Sequence, residues 1–139
     1  MTSASNKRSP SIQYSPKTLV RAERSLRCAP FTTQLFETMR WRSVELTQIA
    51  GTSGVQKGYT ERSLSELAAE SDLLWLIQTG LLRREVDGQG ITDSFRLTPL
   101  GHQIVDKWRN RAGGWAKPSW LDRLYNALNR WVRMPMWLQ

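Results

Sequence analysis

Proton transfer, nucleophilic attack and metal binding near neutral pH draw on a short list of side chains, with histidine and cysteine foremost. This chain of 139 residues holds one of each, His102 and Cys28. His102 follows Thr98-Pro99, on the side of a helix expected to face solvent, and no second residue stands at metal-ligand spacing from it. Cys28 sits near a helix end with no acid–base partner in its neighbourhood, so it reads as a small apolar residue. It has no second cysteine to pair with, which fits a reducing compartment. Glu66 and Glu70 are one helical turn apart and could share a metal, but a solvated face is the simpler reading. No phosphate-binding loop, Gly-x-Ser-x-Gly or paired-cysteine motif occurs. The expectation is a protein that is not an enzyme, with no catalytic residues, no cofactor and no metal.

The chemistry that remains is binding through charge and aromatic surface. The net charge is +8, and its layout is uneven. Residues 1–42 carry eight Lys/Arg against two acids, residues 43–106 five against nine, and residues 107–139 seven against one. Both flanks are therefore basic and the centre is acidic, so an anionic partner should meet the flanks first. Lys17, Arg21, Arg24 and Arg27 recur along one side of an N-terminal helix. The plain reading of that stripe is a solvated face; the functional one is a surface turned to phosphates or lipid headgroups. Four of the seven tryptophans fall in residues 115–139.

These groups must be positioned by helices and one hairpin. Residues 1–14 are Ser-rich with Lys7, Arg8 and Pro10, too poor in apolar residues to fold alone, and read as a disordered basic arm. Ser15-Pro16 opens a helix that should reach about Cys28, with Leu19, Ala22 and Leu26 inward. A second helix is expected over 33–41, with Leu35, Phe36 and Met39 inward. The stretch 44–50 is compatible with a short strand or a short helix. Gly51, Gly54 and Gly58 predict a loop carrying Lys57 and Tyr59. A third helix should begin near Ser63 with a Ser63-x-x-Glu66 capping box, bury Leu64, Leu67, Ala68, Leu74, Trp75, Ile77 and Leu81, and stop at Gly80.

Strands over 82–86 and 91–97 flank Asp87-Gly88-Gln89-Gly90, with Leu82, Val86, Ile91, Phe95 and Leu97 inward. Thr98-Pro99 opens a helix to about Arg111, with Leu100, Ile104 and Trp108 inward. After Gly113-Gly114, read as a hinge, comes an amphipathic segment. Trp120, Leu121, Leu124, Tyr125, Leu128, Trp131 and Val132 lie on one side, and Arg123, Asn126, Asn129, Arg130 and Arg133 on the other. No apolar run approaches the roughly 18 residues that would span a bilayer, and the N-terminus lacks the apolar core of a secretory signal, so a cytoplasmic location is expected, with peripheral membrane contact as the variant.

The run LLWLIQTGLLRR over 73–84, followed by DGQG and FRLTPLG, resembles the second half of winged-helix proteins of the transcription-regulator type. The resemblance implies an α+β fold, mainly α with a small hairpin. It implies that the helix before Gly80 is the recognition helix and the hairpin the wing. The domains would be 1–14 (arm), 15–111 (winged helix) and 115–139 (amphipathic helix and tail). The whole chain, with its RAERSLRC start and Trp-rich end, also resembles an uncharacterised family of small cyanobacterial proteins, a likeness that implies no function.

Two functions follow as expectations. The first is a DNA-binding regulator contacting duplex DNA through Lys17, Arg21, Arg24, Lys57, Tyr59, Arg62, Arg83, Arg84 and Arg96. Against it, Glu61, Glu66, Glu70 and Asp72 crowd the reading helix, where Arg, Lys, Asn or Gln are the usual base-reading groups. The second is an adaptor whose C-terminal helix engages an anionic membrane surface or a protein. Its contacts would come from Trp115, Trp120, Leu124, Leu128, Arg130, Trp131, Arg133 and Trp137. The ordinary alternative for that helix is packing on its own core, or a homodimer.

Overall fold

The computed structural model describes residues 14–110 and 120–133. Among these residues the fold is α+β, with seven helices and one three-stranded antiparallel sheet. The basic arm, the Gly113-Gly114 segment with Trp115, and the tail with Trp137 lie outside the described residues.

Helix α1 (Pro16–Cys28) starts as its sequence requires: the Ser15 hydroxyl accepts from the Thr18 N–H at 3.2 Å, and Pro16 takes the first position, where no N–H is needed. Helix α2 (Thr33–Met39) is two residues shorter than expected and buries Leu35, Phe36 and Met39. The ambiguous stretch 44–50 resolves as both alternatives in series: strand β1 (Val44–Glu45), then helix α3 (Leu46–Ile49).

The expected glycine loop is instead largely helix α4 (Gly51–Gln56). Gly54 supplies closeness rather than flexibility, because a Cβ there would stand 1.9 Å from the Ile49 carbonyl oxygen. The next turn holds Tyr59 inside the body, where its carbonyl accepts from the Thr32 N–H at 2.9 Å.

Helix α5 (Glu66–Gln78) is capped by Ser65, whose hydroxyl accepts from the Ala68 N–H at 3.1 Å; the Ser63 capping box does not form. Ala69, Leu73 and Leu76 occupy one stripe facing the core, and Trp75 is buried beside them. Leu67, expected inward, is 78% exposed, and Leu74 also faces outward. The helix is apolar on two sides, so periodicity alone did not fix which side is the core. Gly80 ends the turn at φ +91, a conformation L side chains resist.

Strands β2 (Leu82–Asp87) and β3 (Gly90–Leu97) form the hairpin, and β1 adds to the far side of β3, giving the order β1-β3-β2. Leu82, Phe95 and Leu97 are buried as expected. Val86 and Ile91 are not: they face each other across the ladder at 68% and 75% exposure, past an irregularity between Arg84 and Val86. The hairpin outruns the core, so the same alternation that buries its base leaves its tip in solvent.

Helix α6 (Pro99–Arg109) is capped by the Thr98 hydroxyl, which accepts from the Gly101 N–H at 3.0 Å. It buries Leu100, Ile104, Val105 and Trp108. The Trp108 indole N–H reaches Glu23 on α1 at 2.9 Å, and the hydroxyls of Ser25 and Thr79 meet at 2.9 Å, tying α1 to the end of α5. Helix α7 (Trp120–Arg133) packs along α1.

Candidate interaction surface

An amphipathic helix against a folded body ordinarily buries its apolar side. Helix α7 does the reverse. Asp122, Asn126 and Arg130, spaced four apart and therefore on one stripe, each reach the body. Asp122 takes Arg27 of α1 at 2.9 Å, with Arg24 at 3.9 Å. The Trp75 indole N–H of α5 donates to Asn126 at 2.8 Å. Arg130 pairs with Asp72 at 2.8 Å and donates to Ser71 at 2.7 Å. All four residues of the two closest ion pairs are mostly shielded, with side-chain exposures between 18% and 26%. Screening by salt is accordingly weaker than for surface pairs.

Packing of the apolar side on the core, the ordinary alternative for this helix, is not the arrangement that its described residues adopt. Leu121, Leu124 and Leu128 are 46–51% exposed, and Tyr125 and Trp131 are similarly open. Arg24 stacks over the Tyr125 ring at 5.0 Å, so the edge of the apolar face along Leu121, Tyr125 and Leu128 is bordered by α1. Beside it lies an open recess of about 490 Å³ lined by Pro16, Lys17, Val20, Arg21, Arg24 and Asn129, without an acidic residue among them. The basic stripe on α1 is therefore neither simply solvated nor wholly free. Arg24 and Arg27 seat α7, and Lys17, Arg21 and Arg24 line the recess.

The expected nucleic-acid residues do not form one surface. Lys17, Arg21 and Arg24 converge at the recess, on the α1–α7 side. Lys57 and Arg62 are exposed on the connection between α4 and α5. Tyr59 is 4% exposed and its hydroxyl lies 3.4 Å from Arg42, which corrects its assignment as a contact residue. The hairpin cations are already engaged. Arg83 and Arg96 both bind Glu85, at 2.9 and 3.2 Å. Arg84 binds Asp93 at 2.7 Å and Glu70 at 3.2 Å, and lies over the Phe95 ring. Glu70 is thereby drawn into an ion pair rather than left as a solvated carboxylate.

Of the residues expected at a membrane or partner, Leu124, Leu128 and Trp131 share the outward side of α7. Arg130 does not join them, because Asp72 and Ser71 hold it against α5. The side chains of Trp120 and Arg133, and all of Trp115 and Trp137, lie outside the described set. Sequence reasoning missed Asp122 and Asn126 as docking groups. The available signal was that Asp122 is the single acid in residues 107–139 and stands four and eight residues before Asn126 and Arg130.

His102 is partly buried rather than on an open face, and burial, reinforced by the Arg40 charge, lowers its pKa below 6.5. Arg40 itself is held by Asp106 and Glu37. Burial, followed by the Asp122 charge, raises the Cys28 thiol pKa, which keeps it protonated and weakly nucleophilic at neutral pH. Among the described residues no three His, Cys, Asp or Glu side chains converge as a metal site, and no helix is long and apolar enough to cross a membrane.

A family model described as Npun_F0494-like matches residues 12–130. The chain belongs to the Npun_F0494-like family. The matched span begins ahead of α1 and runs to Arg130, so the family unit includes the whole polar seam between α7 and the body. The whole-chain resemblance noted in the sequence is the one this membership carries. Neither the curated proteins nor the solved structures hold a match to the chain.

Proposed function

We propose that this Npun_F0494-like protein is a non-enzymatic binding module: a winged-helix-like body that presents the apolar side of α7 as its contact surface. The winged-helix reading is supported by the element order from α2 to β3, helix, strand, two short helices, long helix and hairpin, with the first strand added to the outer side of the last. The observation that carries the functional reading is the inverted docking of α7. Asp122, Asn126 and Arg130 bind the body, and three leucines are left toward solvent. Holding such a face outward forgoes roughly 1–2 kcal/mol for each leucine not fully buried, a cost that a contact surface explains.

The test is the double variant Leu124→Asp/Leu128→Asp, which changes exposed positions and should fold. Wild type should bind the apolar dye ANS several-fold more strongly than the variant. Equal dye binding, with far-UV circular dichroism unchanged, would remove the face as a contact surface.

A second reading, duplex DNA binding in transcription regulation, is supported by the same element order and by exposed Lys57 and Arg62 on the connection leading into α5. It is opposed by the engagement of Arg83, Arg84 and Arg96 with carboxylates. A salt series with random duplex DNA separates the two. Tight binding with a steep salt slope, weakened by Lys57→Glu/Arg62→Glu, would put DNA first. Binding that is weak at low salt and indifferent to those changes would set it aside.

A further inference from the structure

Resting on the reading of α7 as the contact surface, we infer that its partner is the surface of an anionic lipid bilayer, with the recess between α1 and α7 receiving headgroup phosphates. The apolar component is the outward stripe Leu121, Leu124 and Leu128, together with Tyr125 and Trp131, whose rings suit the depth at which apolar chain gives way to hydrated headgroup. The charged component adjoins it. Lys17, Arg21 and Arg24 line the recess with Asn129, and no acid lies among them. Asp122, the one acid of residues 107–139, points to the body and is neutralised by Arg27.

An amphipathic helix lying in an interface needs both components on the same side: apolar area for depth and cations for anionic lipid. Here α7 turns Asp122, Asn126 and Arg130 inward and leaves Arg123 exposed, so further cations must come from a neighbouring element. The neighbouring helix α1 provides the cations, and Arg24, stacked on Tyr125, marks the junction of the two components. Val20, half-exposed in the recess wall, continues the apolar strip onto α1.

Charge complementarity favours this occupant over a second copy of the chain. Two copies would bring the same basic borders together, each molecule carrying +8. The face is also small for a specific protein partner: a few leucine-sized side chains, against the roughly 800 Å² that each side of a stable protein–protein interface buries. A bilayer imposes no such minimum, because its affinity is the sum of inserted area and cation–lipid attraction.

The experiment is co-sedimentation of the full-length protein with vesicles of phosphatidylcholine alone and with vesicles containing phosphatidylglycerol, read alongside tryptophan emission. Wild type should bind the anionic vesicles at least about tenfold more tightly than the neutral ones, and lose that preference at high salt. Lys17→Glu/Arg21→Glu should remove the preference, and Leu124→Asp/Leu128→Asp should remove binding, each with unchanged circular dichroism. Absence of binding to either vesicle, or binding of both types alike, overturns the inference. If vesicles are not bound but wild type self-associates at low salt and Leu124→Asp/Leu128→Asp does not, the partner is another copy: the membrane assignment fails while the α7 surface stands. If vesicle binding, self-association and ANS binding are all the same in wild type and variant, both fail together.

Discussion

At the scale of single residues, the structure separates side chains that look alike in the sequence by what surrounds them. Arg24, Arg27, Arg84 and Arg130 are each tied to a carboxylate, and Arg24, Arg27 and Arg84 also lie over an aromatic ring. Lys17, Lys57 and Arg62 are exposed. His102 carries a pH consequence. Its folded pKa is depressed, so below the unfolded value near 6.5 the unfolded chain binds the proton more readily than the folded one. The stability associated with neutral His102 is complete above that value and declines as pH falls toward the folded pKa. Urea midpoints at pH 7.5 and 5.5 should therefore differ, and His102→Gln should narrow the difference; carboxylates contribute little to that window. A second residue-scale expectation concerns Gly54. Alanine there drives a methyl group into the Ile49 carbonyl, and a loss of about 2 kcal/mol or more is expected by urea titration. Leu73→Ala, which opens space in the core without a clash, should cost about 3 kcal/mol.

At the scale of elements, the helix starts at Ser15-Pro16 and Thr98-Pro99 were legible because capping is local chemistry: one hydroxyl, one N–H and one ring that needs no donor. The hairpin and its turn were legible for the same reason. What escaped was decided by neighbours. Leu67 and Leu73 are both leucines on α5, and which of them is buried depends on where the body lies. The glycines of α4 suggested a loop because their type does not distinguish freedom from close approach. The candidate surface divided similarly. Leu124, Leu128 and Trp131 were identifiable by period alone, while the inward turn of Arg130 required knowing that Asp72 stands opposite. The seam makes its own prediction. Asp122→Ala removes the acceptor of Arg27, and should loosen α7 by about 1–2 kcal/mol. Amide exchange should then quicken through α7, with protection in α6 little changed.

At the scale of the whole molecule, folding rearranges a charge pattern that is segregated along the chain. The acidic middle satisfies its own arginines within the hairpin and α5, while the basic flanks meet where α1 and α7 lie side by side. The apolar stripe on α7 borders that region, and the repulsion of like net charges opposes contact between copies there. Raising the salt concentration weakens the repulsion without covering the leucines. Sedimentation velocity should therefore show wild type, but not Leu124→Asp/Leu128→Asp, gaining mass as salt increases. The pairing of the first and last described helices has a practical side as well. Pro16 at the start of α1 and Asn129 near the end of α7 both line the recess, so a tag joined directly to either helix would stand beside the same patch. A histidine tag would add titratable cations beside the recess, and an acidic epitope tag would compete for it; only protein with the tag cleaved reports the affinity of the chain itself.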